Sequence, residues 1–261
     1  MTKIALNEAF ETVEGAPGNR LILLCDHASN RVPEPYGDLG VPAAQFARHI
    51  AYDIGARDVT VGLAERLGAA AVLSRFSRLL IDPNRGMDDP TLIMRLSDGA
   101  VVPGNAGVDE AERQRRIEHF HRPYHEAVAD EIESVKAQGE TPFLVSIHSF
   151  TPNWRGTPRP WHVGILWDQD EAVAQAMIRG FAAQGNLVVG DNEPYQGALE
   201  GDTLNTHGTR ANLPHALIEI RQDLIAAKTG VDEWVERVAK VIEAIMYGAP
   251  QGSPGRRGGK T

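Results

Sequence analysis

The chain has 261 residues, a formal net charge of -9 at pH 7 and a single cysteine, Cys25. That length accommodates one large α/β domain or two small ones and holds a core without disulfides or structural metal. The lone thiol excludes an internal disulfide and fits a reducing compartment, and the acidic balance argues against nucleic acid.

Residues 1–18 read as a lead-in arm with no basic-then-apolar signal pattern. "RLILLCDH" is a continuous apolar run of the parallel-sheet kind, with Cys25 as a packed thiol inside it. "PAAQFARHIAYDIGARDVTVGLAERLG" has helical periodicity broken near Gly55. "AAAVLS" and "RLLIDPN" are strand candidates, followed by a Gly-, Pro- and Asp-rich loop to about Gly107. A long helix opens on acidic residues after Val108 and closes at Gly139, with Pro123 as a kink. "PFLVSIHSF" and "WHVGILWD" are strands separated by the loop "TPNWRGTPRP". The helix "DEAVAQAMIRGFAAQG", the strand "LVVGDN", a loop from Glu193 to Pro214, the strand "HALIEIR" and the helix "GVDEWVERVAKVIEAIMYG" complete the order. The Gly- and Pro-rich residues 249–261 are expected to be a disordered tail. No segment is long and apolar enough to span a membrane, so the expectation is a soluble cytoplasmic protein with one domain over 1–248.

Alternating strands and helices predict a mixed, mostly parallel sheet with helices on both faces. Ligands of such folds bind beyond the carboxyl ends of the strands, where His27, Asn84, His148 and Glu219 fall. His27 and His148 stand where strands turn into loops, and imidazole is the commonest metal ligand. Alternatively, each is a hydrogen-bonded structural residue. The third ligand is less clear: Asn30 follows His27 by three residues but brings no charge. Asp26 points away from His27 on an extended strand and is a candidate to orient an imidazole from behind.

Glu219 lies between Ile218 and Ile220, and desolvation there raises a carboxyl toward the range of a general base. Arg221, on the same strand face, is a candidate ion-pair partner for it or a substrate contact. Asn84 and Arg85 offer an amide and a guanidinium fork to a substrate carboxylate; a surface salt bridge is the plainer role for Arg85. His121 and His125 are four apart, like paired ligands of a helix-borne zinc site, but the glutamate after the first is missing and Pro123 interrupts the turn. A solvated or half-buried helix face is therefore expected. His49 and Asp53 share that spacing, and Asp53 is expected to support the site from a helix packed on the sheet. His207 precedes a glycine in a loop and is either a candidate catalytic, substrate-contacting group or a loop histidine with no role.

Together, "CDHASNRVP", "HIAYDIGA", "LLIDPNRG", "RPYHEAV", "SIHSFTP" and "NLPHALIEIRQDLI" resemble the N-formylglutamate amidohydrolase family, in order from Cys25 to Ile225. The resemblance implies a three-layer α/β/α sandwich like that of zinc carboxypeptidases. It also implies a metal-dependent amidohydrolase, most simply zinc-loaded, that removes the formyl group of N-formyl-glutamate in histidine breakdown. By the same resemblance His27 and His148 match metal ligands, Glu219 the catalytic glutamate, and Asn84 with Arg85 the pair that binds the substrate carboxylate. Asn30 departs from the glutamate of the wider group's His-x-x-Glu motif. That departure keeps open a binding protein without catalysis; the other alternative is a deacylase of another N-acyl amino acid or peptide terminus. The partner in each case is a small molecule, with oligomeric state open.

Overall fold

The computed structural model describes residues 4–6, as backbone, and residues 8–248. Its strands are β1 (Ile4–Leu6), β2 (Phe10–Val13), β3 (Leu21–Cys25), β4 (Ala70–Ser74), β5 (Leu96–Ser97), β6 (Ala100–Val101), β7 (Phe143–Phe150), β8 (Asn153–Trp154), β9 (Thr157–Pro158), β10 (Val163–Leu166), β11 (Val189–Asp191) and β12 (His215–Arg221). The helices are α1 (Ala56–Leu67), α2 (Glu110–Arg116), α3 (Arg122–Ala137), α4 (Glu171–Ala182) and α5 (Lys228–Tyr247). Eight strands form one sheet in the order β1-β2-β4-β3-β7-β12-β10-β11, and β5-β6 and β8-β9 are small hairpins. The central strands β4, β3, β7 and β12 run parallel, while β2 and β10 pair antiparallel with their inner neighbours.

Side-chain alternation explains the layers. Leu21, Leu23 and Cys25 of β3 belong to one apolar cluster with residues of α1, α4 and α5 on one face. Ile22 and Leu24 pack with Tyr124, Val128 and Ile132 of α3 on the other. With both faces covered, the strand is apolar throughout, and each buried leucine contributes about 1.5–3 kcal/mol. This is the three-layer α/β/α arrangement around a mixed, mostly parallel sheet.

The sheet face toward α3 changes character across β7 and β12. Leu144 joins the apolar core of that layer, but Ser146, His148, His215 and Glu219 are buried polar residues on the same alternation. The register pairs Glu219 with His148 and with Gly164. A Cβ at Gly164 would fall 1.9 Å from the Glu193 carbonyl oxygen. The missing side chain lets the segment leading to Tyr195 lie close to the sheet.

Some local expectations differ from what forms. Within the anticipated arm, Phe10–Val13 is a strand of the main sheet, antiparallel to β4. Residues 42–55 are not an α-helix: a short 3₁₀ turn spans Ala43–Ala47, and α1 starts only after Gly55 at φ 80°. "RLLIDPN" forms turns rather than a strand, and Leu79–Ile81 are buried without sheet partners. The long helix does continue through Pro123, which falls in the first turn of α3 after a π-helical segment, Ile117–His121. The expected disordered tail, 249–261, lies outside the described residues. No described helix is long and apolar enough to cross a membrane.

Candidate active site

His27 follows β3, and His148 lies two residues from the end of the neighbouring β7. Their rings stand edge-to-face at 80° with centroids 5.1 Å apart. Asp53 completes the group. Its backbone N–H donates to the His27 carbonyl at 2.9 Å, and its carboxylate accepts from the Ser149 N–H at 3.2 Å. Asp53 Oδ2 lies 2.9 Å from His148 Nδ1 and 3.4 Å from His27 Nδ1. One ligand atom from each of His27, Asp53 and His148 falls within 4.8 Å of the other two.

The opposite ring nitrogens are held from behind. His27 Nε2 contacts Asp82 Oδ1 at 2.7 Å, and His148 Nε2 contacts Asp26 Oδ2 at 3.0 Å. Asp26 also accepts from Tyr124, Ser146 and Thr203. Asp82 also takes Arg78 and the Asn84 N–H. Carboxylates that fix the outward nitrogen of an imidazole orient the ring and raise its basicity as a ligand. His27 Nδ1, by contrast, is buried with no hydrogen-bond partner. An orphaned imidazole nitrogen beside a carboxylate and a second imidazole fits a divalent cation well.

Charge agrees with that geometry. Burial alone would raise Asp26 and Asp53, but the neighbouring imidazoles outweigh it and hold both carboxyls well below their usual range. Burial would lower His148, yet its two carboxylate hydrogen bonds push it well above the ordinary histidine value. Asp82 is likewise low despite its burial, chiefly through Arg78. The group is a concentrated negative site in which His148 retains a proton that a cation can displace.

Glu219 sits beside His148 across the β7–β12 pair. Burial pushes its carboxyl up to about 7, and its Oε2 has no hydrogen-bond partner. His27, Asp53, His148, Glu219, Asn84 and Arg85 all line one cavity of about 310 Å³. Asn84 is buried, its side-chain oxygen accepting from the Thr203 N–H at 3.1 Å. Arg85 donates through Nη1 to the Asn84 carbonyl and through Nε to Thr91. The loop "TPNWRGTPRP" forms the β8–β9 hairpin, which brings Trp154 to the cavity. Behind it the Arg159 guanidinium lies over the rings of Trp154 and Tyr195, at 5.2 and 4.9 Å.

Three expected residues lie elsewhere. Asn30 is exposed, its amide donating to the Phe46 carbonyl at 2.9 Å, because the chain turns outward after β3. Arg221 turns to Asp223, at 2.8 Å, and forms no pair with Glu219. His207 does not line the cavity; its Nε2 meets His125 Nδ1 at 2.9 Å. Conversely, Arg78 and Asp82 join the site without being among the expected residues. Asp82 is the first residue of "DPNR", so the motif held the signal, whereas Arg78 carried none beyond its charge.

No curated protein matches the chain. Among solved structures, a gene product from Agrobacterium tumefaciens is similar at TM-score 0.85 and 36% identity, over 92% of this chain and 97% of that one. An N-formylglutamate amidohydrolase from Ralstonia eutropha JMP134 shares the fold at TM-score 0.65 and 21% identity, with the same coverage of 92% and 97%. The family model for N-formylglutamate amidohydrolase matches residues 19–226. That span includes the buried His-Asp-His group, Glu219 and the loop bearing Asn84 and Arg85, and the chain belongs to the N-formylglutamate amidohydrolase family, hydrolases of an amide bond.

Proposed function

We propose that the protein is a zinc-dependent amidohydrolase that converts N-formyl-L-glutamate to L-glutamate and formate. The observation carrying this reading is the buried, partnerless Nδ1 of His27 facing Asp53 and His148, with the unpartnered Glu219 oxygen beside them. His27, Asp53 and His148 would hold the ion, at the wall of the cavity they line. When bound, such an ion polarises the acyl oxygen and acidifies a water molecule. Glu219 takes a proton from the attacking water and passes it to the leaving nitrogen, a role suited to a carboxyl near 7. Asp26 and Asp82 keep the two imidazoles in place, and Arg85 with Asn84 grips a substrate carboxylate.

Zinc content and formate release from N-formyl-L-glutamate test the reading together. Zinc uptake approaching one equivalent with formate release supports it. Failure to take up any divalent ion removes the metal, and release only from other N-acyl amino acids removes the substrate. Arg85→Ala is expected to raise KM for N-formyl-L-glutamate about 10–100-fold, the worth of a charge-assisted hydrogen bond. The diamide of that substrate should be affected far less. Arg85→Lys should rescue poorly, because an ammonium does not reproduce the planar fork.

A further inference from the structure

The histidines of α3 and its approach have a place in this architecture outside the metal group. His121 Nε2 lies 2.9 Å from the Arg85 carbonyl oxygen, and His125 Nε2 lies 2.9 Å from that of Pro83. A carbonyl only accepts, so both Nε2 atoms carry hydrogen. His125 Nδ1 then accepts from His207 Nε2 at 2.9 Å. The His121 and His125 rings are 4.3 Å apart, and His207 meets His125 edge to edge, the two rings 19° from parallel with centroids 5.2 Å apart. Burial keeps all three neutral, pushing His125 down to about 3 and His207 to about 4.

The carbonyls they engage bracket Asn84 in the loop that carries Arg85. The same loop is tied by the Asn84 N–H to Asp82 and by the Asn84 side chain to Thr203. The π-helical turn Ile117–His121 immediately precedes the helix carrying His125, and such bulges recur at functional sites. A helix face that only packs needs apolar contact, which Tyr124 and Val128 already provide; it has no need of two imidazoles donating to one loop.

We propose that His121 and His125 are positioning residues for substrate recognition: they fix the backbone of Pro83–Arg85 so that Asn84 and Arg85 meet the substrate carboxylate, and His207 fixes the tautomer of His125. The proposal rests on the reading of Asn84 and Arg85 as the carboxylate-binding pair. It replaces a direct catalytic part for His207 with a structural link to the binding loop.

The test is steady-state kinetics of the zinc-loaded enzyme on N-formyl-L-glutamate and its diamide. His125→Phe should raise KM for the carboxylate substrate about tenfold, with kcat held within about threefold and zinc content unchanged. His125→Gln should stay within about threefold of the parent, because its amide can donate to Pro83 and accept from His207. In an Arg85→Ala background, His125→Phe should add less than about twofold, since the two act through one contact. A folded His125→Phe with parental KM, or one whose effect multiplies fully with Arg85→Ala, overturns the positioning role and leaves the Arg85 reading intact. Arg85→Ala that weakens both substrates equally overturns that reading and the proposal with it. If His125→Phe does not fold, Leu and Gln at His121, which bonds the Arg85 carbonyl, supply the same comparison, and the same two outcomes support or overturn the role.

Discussion

Asp53→Asn is expected to cost the protein its tightly bound divalent ion, while Asn30→Ala is expected to leave metal content unchanged. Asp53 Oδ2 faces Nδ1 of both histidines. The asparagine preserves shape but removes the charge that makes the group attractive to a cation. Loss of a carboxylate that only orients a ligand costs about 10–100-fold in metal affinity. Asp26→Asn, behind His148, should fall in that range, and loss of Asp53 should exceed about a hundredfold by the same scale. Zinc titration against a competing chelator orders the three variants. An Asn30 variant stripped of metal beside an Asp53 variant that keeps it would reverse the assignment.

Glu219→Gln is expected to lower turnover by about two to four orders of magnitude while zinc content stays the same. Stability should move the other way. Burial raises Glu219 from 4.5 to about 7, so the folded chain holds this proton more tightly than the unfolded one. The stability this contributes is complete below about pH 4.5 and lost as pH rises through about 7. Glutamine cannot ionise. Metal-free Glu219→Gln should therefore gain on the parent between about pH 5 and pH 8, by up to about 3 kcal/mol. Thermal melts of the metal-free protein and turnover of the zinc-loaded protein check both limbs. Near-normal turnover per folded molecule removes Glu219 as the base.

The strands were legible because a sheet covered on both faces writes itself as apolar runs, as in "LILLC" and "FLVSI". The same signal misleads at "RLLIDPN", where Leu79–Ile81 are buried in an apolar cluster shared with α3 rather than by strand pairing. Phe10–Val13 is hard to read because an edge-side strand of four residues alternates too briefly to stand out. His27, His148 and Glu219 were readable as polar residues at apolar strand ends. Asp53 reads from the sequence only as a support: it lies 26 residues beyond His27, and the turn that returns it to the His27 carbonyl has no local signature. Asn30 had the right spacing, but spacing assumes a continued strand or helix, and β3 ends at Cys25.

Cys25 occupies the last position of a strand bonded on both sides, to β4 and to β7. It is wholly buried, and burial raises its thiol far from reactivity. As the sole thiol of the chain, it can meet an alkylating reagent only when the middle of the sheet opens. Its labelling rate at excess reagent therefore times the opening of the strand that leads into His27. An ion bound only by the folded chain should slow that rate by a factor of 1 + [ion]/Kd, so one mass measurement reads metal affinity without any spectroscopic handle on the metal.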